Sequence, residues 1–171
     1  MEGYIDYIVN VAAERADGYL QPLFGIARER KLDEDIVAHL PGYRGMGPVR
    51  VGNAAYDQVQ NDGYGAVILS AAQAFFDRRL VSPGDRALFE RLERLGEQAC
   101  ARFDQPDAGL WEYRGREAAH TFSAVMCWAA CDRLARIAER LDLPDRAAVW
   151  RADAERIRVK TLNEAWSEDA Q

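Results

Sequence analysis

PDAGLWEYRG occupies Pro106–Gly115 and FSAVMCWAACDRLARIA occupies Phe122–Ala138. The second run decides the fold. Met126, Ala130, Leu134, Ile137 and Leu141 recur at steps of three and four residues, which lines them up on one stripe of a helix. That helix is predicted over Glu117–Leu141. The first run reads differently. Asp107-Ala108-Gly109 is a turn sequence, and it delivers Trp111 and Glu112 side by side with Arg114 two residues on. A large aromatic beside an ionisable carboxyl, on a loop that feeds a helix, is either surface decoration or chemistry.

Working outward, the chain reads as all-α. A helix is predicted from about residue 2 to 16, with Tyr4, Ile5, Ile8, Val9 and Ala12 on its buried stripe and Gly18 at its end. A second is predicted to begin after Asn53, a good N-cap residue, and to run to about Arg79, burying Val67, Ile68, Ala71, Ala72, Phe75 and Phe76. Gly63 and Gly65 lie inside it. Each costs about 1 kcal/mol relative to alanine, so close approach of another backbone or a ligand is expected there. SPGD is predicted to open a third helix, with Ser82 as cap and Pro83 at the first position, ending near Phe103. Pro144 opens a fifth, which carries Ala148, Ile157 and Leu162 to about Trp166. Met126, Trp128 and the aromatics of the first helix are assigned to the core.

Residues 19–52 have no helical period. LQPLFGI and EDIVAHL are candidates to pair as small strands. LPGYRGMGPVRVGN, with four glycines and two prolines, predicts one long structured loop. No low-complexity linker divides the chain, so residues 1–171 are read as part of a single domain. The chain stops at WSEDAQ without a closing element. A helical array needs caps or closure, and the expectation is a piece of something larger.

Composition excludes several classes. The 171 residues are 49% hydrophobic and 29% charged, an ordinary globular balance. The net charge of −6 disfavours nucleic acid, which wants a basic face. No apolar run approaches the roughly 20 residues that span a bilayer. The N-terminus lacks a basic start and an apolar h-region, so neither a membrane nor a secretory route is expected. Three cysteines without framework spacing suggest reduced thiols and a cytoplasmic location. His120, Cys127 and Cys131 share a helical face, but His120 and Cys127 would stand about 10 Å apart along the axis, too far for one ion. GYRGMG has no strand–turn–helix context, so a phosphate cradle is not expected. No metal and no organic cofactor is called for.

Carboxyl chemistry remains. Cleaving a glycoside usually takes one carboxylic acid to protonate the leaving oxygen and one carboxylate across the sugar. The acid must stay protonated near neutral pH, which packing against an aromatic favours by desolvation. Glu112 beside Trp111 fits that need. At these residues the chain resembles glycoside hydrolase family 15, the glucoamylase-like family that includes bacterial trehalases. The G-L-W-E-x-R run followed by S-x-V-M-C-W carries the likeness, and LPGYRGMGPVRVGNAAYDQVQNDGYGAVIL resembles the family's preceding segment. The resemblance extends from about Tyr19 onward.

The resemblance implies an incomplete (α/α)6 toroid, about five of its twelve helices plus the long loop, with the site at one end. It implies that Glu112 is the general acid, that Trp111 is the aromatic before it, and that Gln60 and Asp62 line the sugar pocket. Tyr56 falls where fungal members stack a tryptophan on the next sugar. Arg114 matches the bacterial form, which implies a substrate-binding role in orienting the acid or a sugar hydroxyl; whatever else it does, it is expected to pair within its own loop. Phe122 and Ala124 stand where many bacterial members carry histidine and lysine. The implied substrate is an α-linked glucoside: a maltooligosaccharide, dextrin or trehalose. The implied base is a glutamate outside this chain, so the chain alone is expected to be inactive. The alternative from another class is a non-catalytic helical module that binds sugar or protein.

Overall fold

The computed structural model describes residues 2–12 and 18–167. Among them five helices carry the architecture. They are α1 (Glu2–Ala12), α2 (Asp62–Phe76), α3 (Arg86–Arg102), α4 (Thr121–Arg140) and α5 (Pro144–Ala165). A long excursion between α1 and α2 holds a two-residue antiparallel pair, β1 (Asp35–Ile36) with β2 (Arg50–Val51). The architecture is all-α, an incomplete (α/α)6 toroid.

α4 sits in the middle because it is apolar on more than one face. Cys127, Ala130, Cys131, Leu134, Ala135, Ile137 and Ala138 are all fully buried, and each apolar face must be covered. α5 packs along one side of it, α2 along another and α3 along a third. Small residues let α2 approach. A Cβ on Gly65 would stand 2.3 Å from the Met126 carbonyl oxygen, so only glycine fits at that crossing. The tetrad Phe89, Leu92, Leu95 and Ala99 buries one stripe of α3. Burying a side chain such as Leu134 is worth about 1.5–3 kcal/mol. α5 begins as its sequence predicts, with Pro144 in its first turn, where a missing N–H costs nothing.

Several predicted boundaries move; those of α2 and α4 do so because a hydrogen bond to another segment outbids local propensity. Asn53 does cap, with its side chain accepting from Ala55 N–H at 3.0 Å, but the helix it starts lasts only over Ala54–Asp57. The chain then straightens, since the Val59 carbonyl is taken by Ala108 N–H at 2.9 Å. α2 therefore starts at Asp62, not Ala54. Asp62 lies in the first turn, where a carboxylate suits the helix dipole. Asp85, not Ser82, caps α3 by accepting from Leu88 N–H at 2.8 Å. α4 starts at Thr121, not Glu117, because Ala118 forms a backbone pair with Asp107. EDIVAHL finds its partner in Arg50–Val51, and LQPLFGI is no strand. The end predicted for the first helix lies outside the described residues.

Some residues assigned to the core face outward. Tyr4 is 59% exposed, Phe76 44% and Leu162 56%, and Ala148 is exposed. Met126 and Trp128 are half-buried, with Trp128 packed against the core.

Candidate active site

The loop between α3 and α4 presents Glu112. Its stem is closed by a pair of backbone hydrogen bonds, Asp107 N–H to Ala118 O at 2.9 Å and Ala118 N–H to Asp107 O at 3.0 Å. Its tip folds back through Glu112 N–H to Gly109 O at 3.1 Å and Tyr113 N–H to Ala108 O at 3.3 Å. Those turns need left-handed backbone. Gly109 has φ +67° and Glu112 itself φ +53°. A non-glycine residue there costs about 1–2 kcal/mol. Such strain persists where surrounding structure over-determines it, and it clusters at functional sites.

The strain is held by the segment ahead of α2. Ala108 N–H binds Val59 O, and the Gln58 amide donates to the carbonyls of Glu112 at 3.3 Å and Tyr113 at 3.5 Å. Gln60 donates to Gln58 Oε1 at 3.2 Å, so Gln60 reaches the Glu112 loop through Gln58. Glu112, Arg114, Gln58, Asn53 and Gly115 together line a depression of about 240 Å³.

Arg114 pairs across the molecule rather than within its own loop. Its guanidinium grips Glu34 with two bonds, Nη1 to Oε1 at 3.0 Å and Nη2 to Oε2 at 2.7 Å. Arg50 Nη1 adds a third contact to Oε1 at 2.7 Å. Hydrogen bonding from Arg114, helped by the Ala54 N–H and Arg50, holds the Glu34 carboxyl down at about 2. Next to Glu34, Asp33 accepts from the Tyr56 hydroxyl at 3.1 Å and pairs with Lys31 at 2.7 Å. The β1–β2 excursion is thus fastened to the Glu112 loop by charge.

Asp62 lies apart from that group. It is 8% exposed, and its Oδ1 has no hydrogen-bond partner. Burial first, and the neighbouring Asp107 charge, push its carboxyl above the usual range. It borders an open cleft of about 420 Å³ with Gln60, Gly63, Tyr4, Tyr7 and Phe24. Gln60 lines this cleft and hydrogen-bonds Gln58, which borders the Glu112 depression. Trp111 is 77% exposed and Glu112 is exposed too. The aromatic cover expected from Trp111 is not in place on these residues.

Three contributors escaped the sequence. Glu34 and Gln58 sit in irregular backbone, where no periodicity marks them. Asp107, fully buried under the loop, reads in sequence as an ordinary turn aspartate. His120, Cys127 and Cys131 go to three separate partners: Asp107, the Asn61 carbonyl and Cys100. Among the described residues no group of three metal-ligating side chains converges, and no helix is long and apolar enough to cross a membrane.

Five helices packed about α4 thus present a loop with a left-handed Glu112 beside a mainly apolar cleft, consistent with part of a helical toroid. The sequence profile of the glycosyl hydrolases family 15 matches residues 2–171, and the chain belongs to that family. It is 40% identical over 143 residues to a trehalase of Mycobacterium tuberculosis, a match covering 84% of this chain and 21% of that protein. A trehalase of Mycolicibacterium smegmatis is 38% identical over 143 residues, with the same coverage of 84% and 21%. A trehalase of Thermoplasma volcanium is 28% identical over 153 residues, 90% of this chain and 24% of that protein. The chain spans about a fifth of the length of the curated relatives it matches. No solved structure matches it.

Proposed function

We propose that this segment carries the acid side of a glycoside hydrolase that cleaves an O-glycosidic bond of an α-glucoside with inversion. Glu112 donates the proton to the leaving oxygen. A glutamate outside this segment activates water, the two carboxyls standing about 6.5–9.5 Å apart. The observation that carries the reading is the Glu112 backbone, held at φ +53° by hydrogen bonds that converge from Gln58, Ala108 and Gly109. Gln60, Asp62 and Tyr56 contact sugar hydroxyls or ring faces, and Trp111 offers an exposed aromatic face to the same substrate. Arg114 orients the loop through Glu34. The cover that keeps Glu112 protonated comes from surfaces beyond these residues.

Trehalose is the proposed substrate, from the printed names of the relatives; maltose and dextrin are the competitors. The three cysteines are free, which supports a reducing, cytoplasmic setting. The residues described here form one part of a single catalytic domain. The test is glucose release from trehalose by a protein of the relatives' length that contains this segment. Glu112→Gln lowers turnover about 10²- to 10⁴-fold, the range for loss of a general acid. Near-normal turnover by that variant refutes the assignment.

A further inference from the structure

Beneath the exposed loop tip lies a carboxylate that the proposed reaction does not use. Asp107 is 0% exposed. Its Oδ2 accepts from the Asn61 N–H at 2.7 Å and from the Ser123 hydroxyl at 2.7 Å. Its Oδ1 faces His120 Nδ1 at 2.7 Å. An ionised carboxylate only accepts, so the imidazole presents its N–H on Nδ1. The segment entering α2, through Asn61, and the start of α4, through His120 at its cap and Ser123 in its first turn, therefore meet at one side chain.

The donors are themselves fixed. Asn61 is 1% exposed, and its amide donates to the carbonyls of Arg102 and Gln105, at 3.2 Å each. The His120 ring lies against Gly109, where a Cβ would stand 2.9 Å from it. Above this floor the tip is locked to the stem by the Tyr113–Ala108 and Glu112–Gly109 hydrogen bonds. The loop therefore moves as a unit with whatever holds Asp107.

We propose that Asp107 is the positioning residue for Glu112, its carboxylate setting where the acid loop stands relative to the Gln58–Asp62 segment. The proposal rests on reading Glu112 as the acid. A misplacement of 1 Å in such a group costs about 10²-fold in rate, and an unanchored stem permits that displacement.

The test has two arms. In the chain itself, hydrogen–deuterium exchange is followed at the amides of Ala108, Tyr113 and Ala118, with Leu134 and Ile137 of α4 as reference. Asp107→Asn turns one acceptor oxygen into a donor and is expected to speed exchange of the loop amides about tenfold or more, leaving the reference amides unchanged. Loop amides within about twofold of wild type overturn the proposal. So does equal acceleration of Leu134 and Ile137, which marks general loss of stability. If Asp107→Asn does not fold, Ser123→Ala decides: it removes one donor and leaves the carboxylate. Loop exchange about threefold faster supports the proposal, and unchanged exchange overturns it. In a protein of the relatives' length, Asp107→Asn lowers kcat at constant KM; a raised KM at constant kcat contradicts positioning. Failure of the acid reading appears elsewhere, as full turnover by Glu112→Gln, and leaves the exchange result standing.

Discussion

Gly65→Ala isolates the contact that sets α2 against α4. The new Cβ would lie 2.3 Å from the Met126 carbonyl oxygen, 2.7 Å from its carbonyl carbon and 2.9 Å from its Cβ. An ordinary carbon–oxygen contact starts near 3.3 Å, so the two helices must part by about 1 Å. The obstacle is backbone, which cannot rotate aside as a side chain does. Overpacking a core costs about 1–3 kcal/mol, and a backbone clash belongs at the upper end. Alanine returns about 1 kcal/mol of helix propensity. The net loss is about 2 kcal/mol, which at about 2–4 °C per kcal/mol for a chain of this size lowers Tm by about 4–8 °C. Two glycines serve as controls in the same thermal melts. Gly63→Ala meets only the Leu20 side chain, its Cδ2 at 3.2 Å, and among the described residues Gly3→Ala meets no heavy atom within 4 Å beyond its chain neighbours and its own helix backbone. Both are expected to hold or raise Tm. Gly65→Ala melting at or above the wild type would refute the packing argument.

Two further outcomes follow from charge and burial. The Glu34 carboxyl sits at about 2 when paired, against 4.5 for the free group. A depressed carboxyl stabilises above its free value and loses that contribution as pH falls through the paired one. The fastening of the acid loop to the β1–β2 excursion is therefore complete above about pH 4.5 and released between there and about pH 2; acid-induced exchange of the Ala54 amide over that window checks it, and in Arg114→Ala the release shifts to higher pH. Burial pushes the Cys127 thiol up to about 12, and the Cys100 hydrogen bond, followed by burial, raises Cys131 as well. Alkylation at pH 8 should label half-buried Cys100 first and reach Cys127 and Cys131 only on unfolding, as mass spectrometry of the digested protein would show; rapid native labelling of Cys127 would contradict its placement.

How much of this was legible in the sequence depends on where the decisive hydrogen bonds lie. α4 and α5 were readable because their signals are local: a stripe from Met126 to Leu141, and Pro144 at a helix start. The loop bearing Glu112 was readable because Asp-Ala-Gly is a turn whatever surrounds it. The start of α2 was not. Asn53 caps as its type requires, yet Val59 gives its carbonyl to Ala108 and Asn61 gives its N–H to Asp107, partners 49 and 46 residues away. No local rule sees those bonds. The partner of Arg114 was misplaced for the same reason, since Glu34 lies 80 residues off. The loop that carries Glu112 was legible and its supports were hidden: Gln58 acts through its side-chain amide, Glu34 and Asp107 through little-exposed carboxylates, and none of the three carries a period.

The central claim is that Glu112 is a proton donor to a glycosidic oxygen. The most direct measurement replaces the matching segment of the Mycobacterium tuberculosis trehalase with this one and follows glucose release from trehalose, with and without Glu112→Gln. Active unsubstituted protein and a loss of about 10²- to 10⁴-fold on substitution is the predicted result. Equal turnover by the two proteins would contradict the claim.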